Sequence, residues 1–137
     1  MTPEQQTVRQ KWVAALRSGK YKQGKNVLCN VNPETKEKSY CCLGVLCELY
    51  AETHSINKVE MSDTIRGEDT FIHIGYVTSE YFAFLPLCVQ EWAGLYSDAG
   101  DSSDCKSSLS AMNDYEIGGP TFNELADIIE SDDSYFN

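Results

Sequence analysis

The sequence predicts an α+β fold: a single compact domain, spanning 1–137, of about four helices with a small antiparallel sheet. Three observations carry that expectation. The chain has 137 residues, the size of one domain. It is 42% hydrophobic and 23% charged, enough apolar material to offset the entropy of ordering. Segments with apolar residues at helical spacing alternate with short β-prone runs bounded by turn residues.

Thr2-Pro3-Glu4-Gln5 supplies an N-cap, a proline for the first turn and a glutamine to close a capping box. Val8, Trp12, Ala15 and Leu16 then recur on one face, and Gly19 stands as a stop, so a helix is expected over about 3–18. Residues 26–31 read as a strand, and Asn32-Pro33-Glu34-Thr35 as the turn of a hairpin. Ser39 is placed to cap a second helix over 40–52, whose stripe is Cys42, Val45, Leu46 and Leu49. Gly44 weakens that helix, which predicts that another backbone passes close to it.

Residues 53–70 show no clear period and read as a loop or a partly ordered insertion, and 53–84 as a whole as a variable insertion. Phe71, Ile72, Ile74, Tyr76 and Val77 predict a strand in which Gly75 permits a bulge. Pro86 opens a short helix with Leu85, Val89 and Trp92 inward, stopped at Gly94. A loop of Asp, Ser and Gly leads to a short apolar piece at 109–114. Thr121-Phe122-Asn123-Glu124 is a capping box for a last helix to about Glu130. The acidic tail, 131–137, is expected to fray.

Eleven basic against 21 acidic side chains give a net charge of −10, which disfavours duplex nucleic acid as a partner. The charge is unevenly spread. Residues 1–40 carry eight Lys and Arg against three acids, a net +5, and the remainder is strongly acidic. Such a dipolar chain can hold its own halves together or steer partners of opposite sign to opposite faces.

Six cysteines (Cys29, Cys41, Cys42, Cys47, Cys88, Cys105) and two histidines (His54, His73) show no zinc spacing, so the thiols are expected as small core residues, with no metal and no cofactor. No apolar run reaches the length of a membrane span, and residues 1–10 lack a signal-peptide core, so a cytoplasmic protein is expected.

The chain carries Trp12-Val13-Ala14-Ala15-Leu16-Arg17-Ser18-Gly19-Lys20-Tyr21-Lys22-Gln23-Gly24, Cys41-Cys42-Leu43-Gly44-Val45-Leu46-Cys47-Glu48-Leu49, Leu85-Pro86 with Trp92-Ala93-Gly94-Leu95, Leu109 with Met112-Asn113-Asp114, and the run from Thr121 to Glu130. Together these motifs resemble a family of small uncharacterised proteins of tailed bacteriophages and their bacterial hosts. The resemblance carries no catalytic residues. It implies an accessory protein of the infected cell that antagonises a host component, such as a defence factor.

Two binding modes follow from the charge. An acidic surface of Asp98, Asp101, Asp104, Asp114, Glu116, Glu124, Asp127, Glu130, Asp132 and Asp133 could serve as a decoy for a host protein site that receives nucleic acid. A basic pole of Arg9, Arg17, Lys20, Lys22 and Lys25 beside Trp12 and Tyr21 could grip a nucleotide signal molecule by phosphate contact and stacking. The alternative is a small cytosolic enzyme acting on a nucleotide through Cys, His or Asp residues, with Cys41, Cys42, His73 and the pair Asn113-Asp114 as candidates. No motif pairs a nucleophile with a base, so a non-enzymatic binder is the expectation.

Overall fold

The structure, a computed structural model, describes residues 1–65, 69–115 and 117–137. In chain order its elements are α1 (Pro3–Arg17), β1 (Cys29–Val31), β2 (Lys38–Tyr40), α2 (Cys42–Thr53), β3 (Lys58–Ile65), β4 (Asp69–Tyr76), α3 (Leu87–Ala93), α4 (Leu109–Asn113) and α5 (Phe122–Ser131), followed by a 3-10 turn at Asp133–Tyr135. The expected α+β architecture is therefore present: four longer helices, one short one and a sheet.

The sheet order is β2-β1-β4-β3 with every pair antiparallel. Alternation sorts its side chains. Cys29, Val31, Tyr40, Ile72, Ile74 and Tyr76 are buried in the core shared with the helices, while Asn30, Ser39, Phe71 and His73 point to the opposite face. Helix α1 forms as its capping box directs: the Thr2 hydroxyl accepts from the Gln5 amide, and Gln5 returns a bond to Thr2. It packs chiefly on α5, with further contacts to α2 and α3.

Gly44 has the close neighbour its position predicts. A Cβ there would stand 1.7 Å from the Leu28 carbonyl oxygen, so only glycine lets α2 approach the start of β1.

Four expectations are corrected. Residues 58–65 are not loop but the edge strand β3, paired with β4 along its whole length; eight continuous pairings supply the order that its weak apolar pattern does not advertise. For the same reason Gly75 makes no bulge, and its lack of a side chain admits the Thr78 carbonyl, 2.7 Å from where a Cβ would be. Helix α2 starts two residues late, because Ser39 and Tyr40 are claimed by β2, and Cys41 takes the N-cap without a side-chain bond. The 131–137 tail is not frayed: Tyr135 and Phe136 are buried, and Asp132 caps the final 3-10 turn.

Candidate functional site

The motif residues converge on the N-terminus of α2. The Asn113 side chain, 1% exposed, accepts from the Cys42 amide at 3.2 Å and from Gln23 Nε2 at 3.1 Å, and donates to the Gly24 carbonyl at 2.9 Å. Gln23 also donates to the Pro120 carbonyl and accepts from the Phe122 amide. Asp114 receives the Asn26 amide at 2.8 Å. One helix end, which lacks a side-chain cap of its own, is thus satisfied by residues from distant parts of the chain. The pairing of Asn113 with Asp114 is architectural, and so is Trp12. Its indole, wholly buried, donates to the Cys42 carbonyl at 2.9 Å. As a ligand-stacking group Trp12 is a wrong expectation, because its apolar face belongs to the α1 stripe.

The basic pole does not assemble. Arg9 reaches the end of α5, donating to the Ile129 carbonyl at 2.8 Å and to Asp133 at 2.7 Å, with further bonds to the carbonyls of Glu130 and Asp132, and lies 4.3 Å over the Phe136 ring. Arg17 binds Asp127 at 2.6 Å and Glu130 at 3.0 Å; these carboxylates raise its pKa above the ordinary arginine value. Lys25 donates to the Tyr115 carbonyl. Lys20 sits 3.9 Å from Glu52 and over the Tyr21 ring, which meets Tyr40 edge-on. Lys22 is left with an exposed partner, Glu37, at 3.4 Å.

The acidic set divides in the same way. Asp127, Glu130 and Asp133 are spent on the arginines of α1. Glu124 closes the α5 capping box. Asp101 accepts from the Ser97 hydroxyl at 3.0 Å, Asp104 from the Ser102 hydroxyl at 2.6 Å and the Lys106 amide at 3.0 Å, and Asp132 from the Ser134 amide at 2.9 Å. These bonds favour the ionised forms, so Asp104 and Asp132 titrate below the ordinary aspartate range. The two stand near each other, because the Ser103 amide bonds the Ser134 carbonyl. Asp98 is exposed on the same loop, and Glu116 lies outside the described residues. Asp101 also lines a groove of about 300 Å³ that ends at Tyr115. Tyr115 is 63% exposed and Ile117 94%.

Sequence reasoning missed two further places. On the core side of the sheet, Tyr40 donates to Glu48 Oε1 at 3.1 Å, Lys58 Nζ lies 2.6 Å from Oε2, and the Tyr76 hydroxyl is buried with no hydrogen-bond partner among the described residues. Oε2 has no well-aligned hydrogen bond, so its tie to Lys58 is one of charge. Burial first, and the Glu48 charge second, push the Tyr40 and Tyr76 hydroxyls well above their usual range and the Cys29 thiol up to about 11. On the outer side, Asn30, Ser39 and His73 form a row across three strands, with Phe71 beside it. Strand alternation at 29–31 and 71–74 is the signal that would have marked them.

Cys29, Cys41, Cys42 and Cys47 are buried as expected, whereas Cys88 and Cys105 are exposed, which corrects the core assignment for those two. Desolvation pushes the Cys41 thiol up to about 12 and raises those of Cys42 and Cys47 well above the ordinary thiol value. His54 stacks on Tyr50 at the end of α2, and His73 meets Phe82 on the outer sheet face. Among the described residues no group of His, Cys, Asp and Glu has the arrangement of a metal site, and no helix is long and apolar enough to cross a membrane.

A family model described as a domain of unknown function (DUF8296) matches residues 4–133. No curated protein and no solved structure matches the chain.

Proposed function

The chain belongs to the DUF8296 family, and from its surface we propose that it acts by stoichiometric binding, as a phage accessory protein in the bacterial cytoplasm whose acidic face occupies a host site that normally receives nucleic acid. The observation that carries this reading is the way Asp101, Asp104 and Asp132 are held. Each carboxylate is fixed by a hydroxyl or amide of its own turn, so the negative array is set before any partner arrives and loses little entropy on binding. Tyr115 and Ile117, exposed beyond the groove that Asp101 lines, supply apolar anchors beside the charge. The basic pole supports a nucleotide grip less well, because Arg9, Arg17 and Lys25 already have partners within the chain.

Charge and fold can be separated by replacing Asp101, Asp104 and Asp132 together with asparagine, which keeps an acceptor for each turn and removes the charge. The protein, immobilised and exposed to bacterial lysate, should retain a host protein at low salt. Retention should fall steeply as salt rises beyond the point where the screening length drops below about 8 Å, and the triple variant should lose it while melting at an unchanged temperature. A complex indifferent both to salt and to the triple variant overturns the reading.

A further inference from the structure

The outer face of the sheet is built differently from the rest of the surface. Asn30, Ser39 and His73 sit in one cross-strand row and are half-buried, and none of their side chains hydrogen-bonds another described residue. Neighbouring strands stand about 4.8 Å apart, so the row offers an amide, a hydroxyl and an imidazole at intervals that match the polar edge of a flat heterocycle. Phe71, 47% exposed, projects from the same face two residues along β4 from His73. Phe82, 38% exposed, packs on His73 with ring centroids 5.1 Å apart and so closes the far side. Beyond Asn30 and Ser39 the groove is lined by Lys22 and Lys38, and its volume is about 280 Å³.

We propose that this face binds one nucleotide, its base stacked on Phe71 and edge-bonded to Asn30, Ser39 and His73, its phosphate held by Lys22. Open antiparallel sheets that display aromatic and amide side chains recognise unstacked bases in this manner. Charge selects the phosphate end: the groove lies within the positive third of the sequence, and the Lys22–Glu37 pair at 3.4 Å is exposed on both sides, the kind of pair that an incoming dianion displaces at small cost. The same reasoning limits the ligand to a single unit. The groove holds no more than one nucleotide, and a strand extending from it would meet a chain of net charge −10. The site is independent of the acidic face, and either can fail without the other.

Titration calorimetry with adenosine and guanosine 5′-monophosphate on the full chain tests the assignment. One of the two should bind with a stoichiometry of one and shift the His73 ring resonances in the proton spectrum. Phe71→Ala and Lys22→Ala should each weaken binding about tenfold or more; both residues are exposed, so unchanged melting curves are expected. The corresponding nucleoside should bind at least tenfold more weakly. Absence of binding by both nucleotides at millimolar concentration, binding indifferent to Phe71→Ala, or tighter binding of a ten-residue single strand of RNA would each overturn the proposal.

Discussion

Any side chain at residue 44 meets the Leu28 carbonyl, and backbone cannot yield as a flexible side chain can. Gly44→Ala should therefore destabilise the fold by about 3 kcal/mol or more, read as a lowered midpoint of urea unfolding. The thiols behave in two classes. Iodoacetamide added to the folded protein should modify Cys88 and Cys105 only, with the other four labelled only in denaturant; mass spectrometry of the intact chain reads the difference. The buried thiols also set an alkaline limit. Their pKa values in the fold, about 11 for Cys29 and about 12 for Cys41, lie above the ordinary 9.0. The stability they contribute is complete below pH 9 and declines as pH rises from there toward the folded values, because the unfolded chain then releases protons that the fold retains. A melting temperature that holds level between pH 9 and 11 would contradict this.

At the scale of elements, α1 and α5 are joined by two arginines of unequal weight. Arg9 has a side chain only 14% exposed and satisfies carbonyls at the C-terminal end of α5 that no intrahelical amide reaches. Arg9→Ala should cost about 2–3 kcal/mol, mostly through those carbonyls and the Phe136 contact. Arg17 is a solvent-exposed partner of Asp127 and Glu130, and Arg17→Ala should destabilise far less than Arg9→Ala, a loss that added salt largely hides. Chemical denaturation of both variants at low and high salt distinguishes the two. The same seam shows what the sequence exposes and what it conceals. The caps and stripes of α1 and α5, the hairpin at 29–40 and the close approach at Gly44 are local in origin, and each was legible from residues within a few positions. Strand β3 was not, because its order comes from pairing with β4 and hardly from its own alternation. Arg9 and Trp12 read equally well as ligand groups until α5 and the α2 N-terminus are in place around them. The outer sheet row was hidden for a related reason: Asn30, Ser39 and His73 come from three strands and have no common motif.

For the whole molecule, the sequence separates charge into a basic third and an acidic remainder, and the fold partly recombines them along α1 and α5. Among the described residues, charge that is not spent along that seam is polarised between the Asp98–Asp104 loop with Asp132 and the sheet face beside Lys22. Acid should test the first of these. Asp104 and Asp132 titrate below the ordinary 3.8 in the fold, so any stability they add is present above that value and is lost only as pH falls through their lowered values. The charge of the acidic face should accordingly survive mild acid. Capture of the host protein at pH 5 should match that at pH 7, and an early loss would place the binding charge on other residues.

The Asn113 clamp bears on how the chain acquires this shape during synthesis. Its amide waits on residue 113 while holding a helix that begins at residue 42, and the Gln23 ties require residues 120–122 as well. A nascent polypeptide emerging from the ribosome therefore lacks the keystone of its own central helix until residues 113–122 have been translated. Until that moment a stretch of thiol-rich, apolar sequence is without its final cover, and a pause before that point would leave it open to chaperones and proteases.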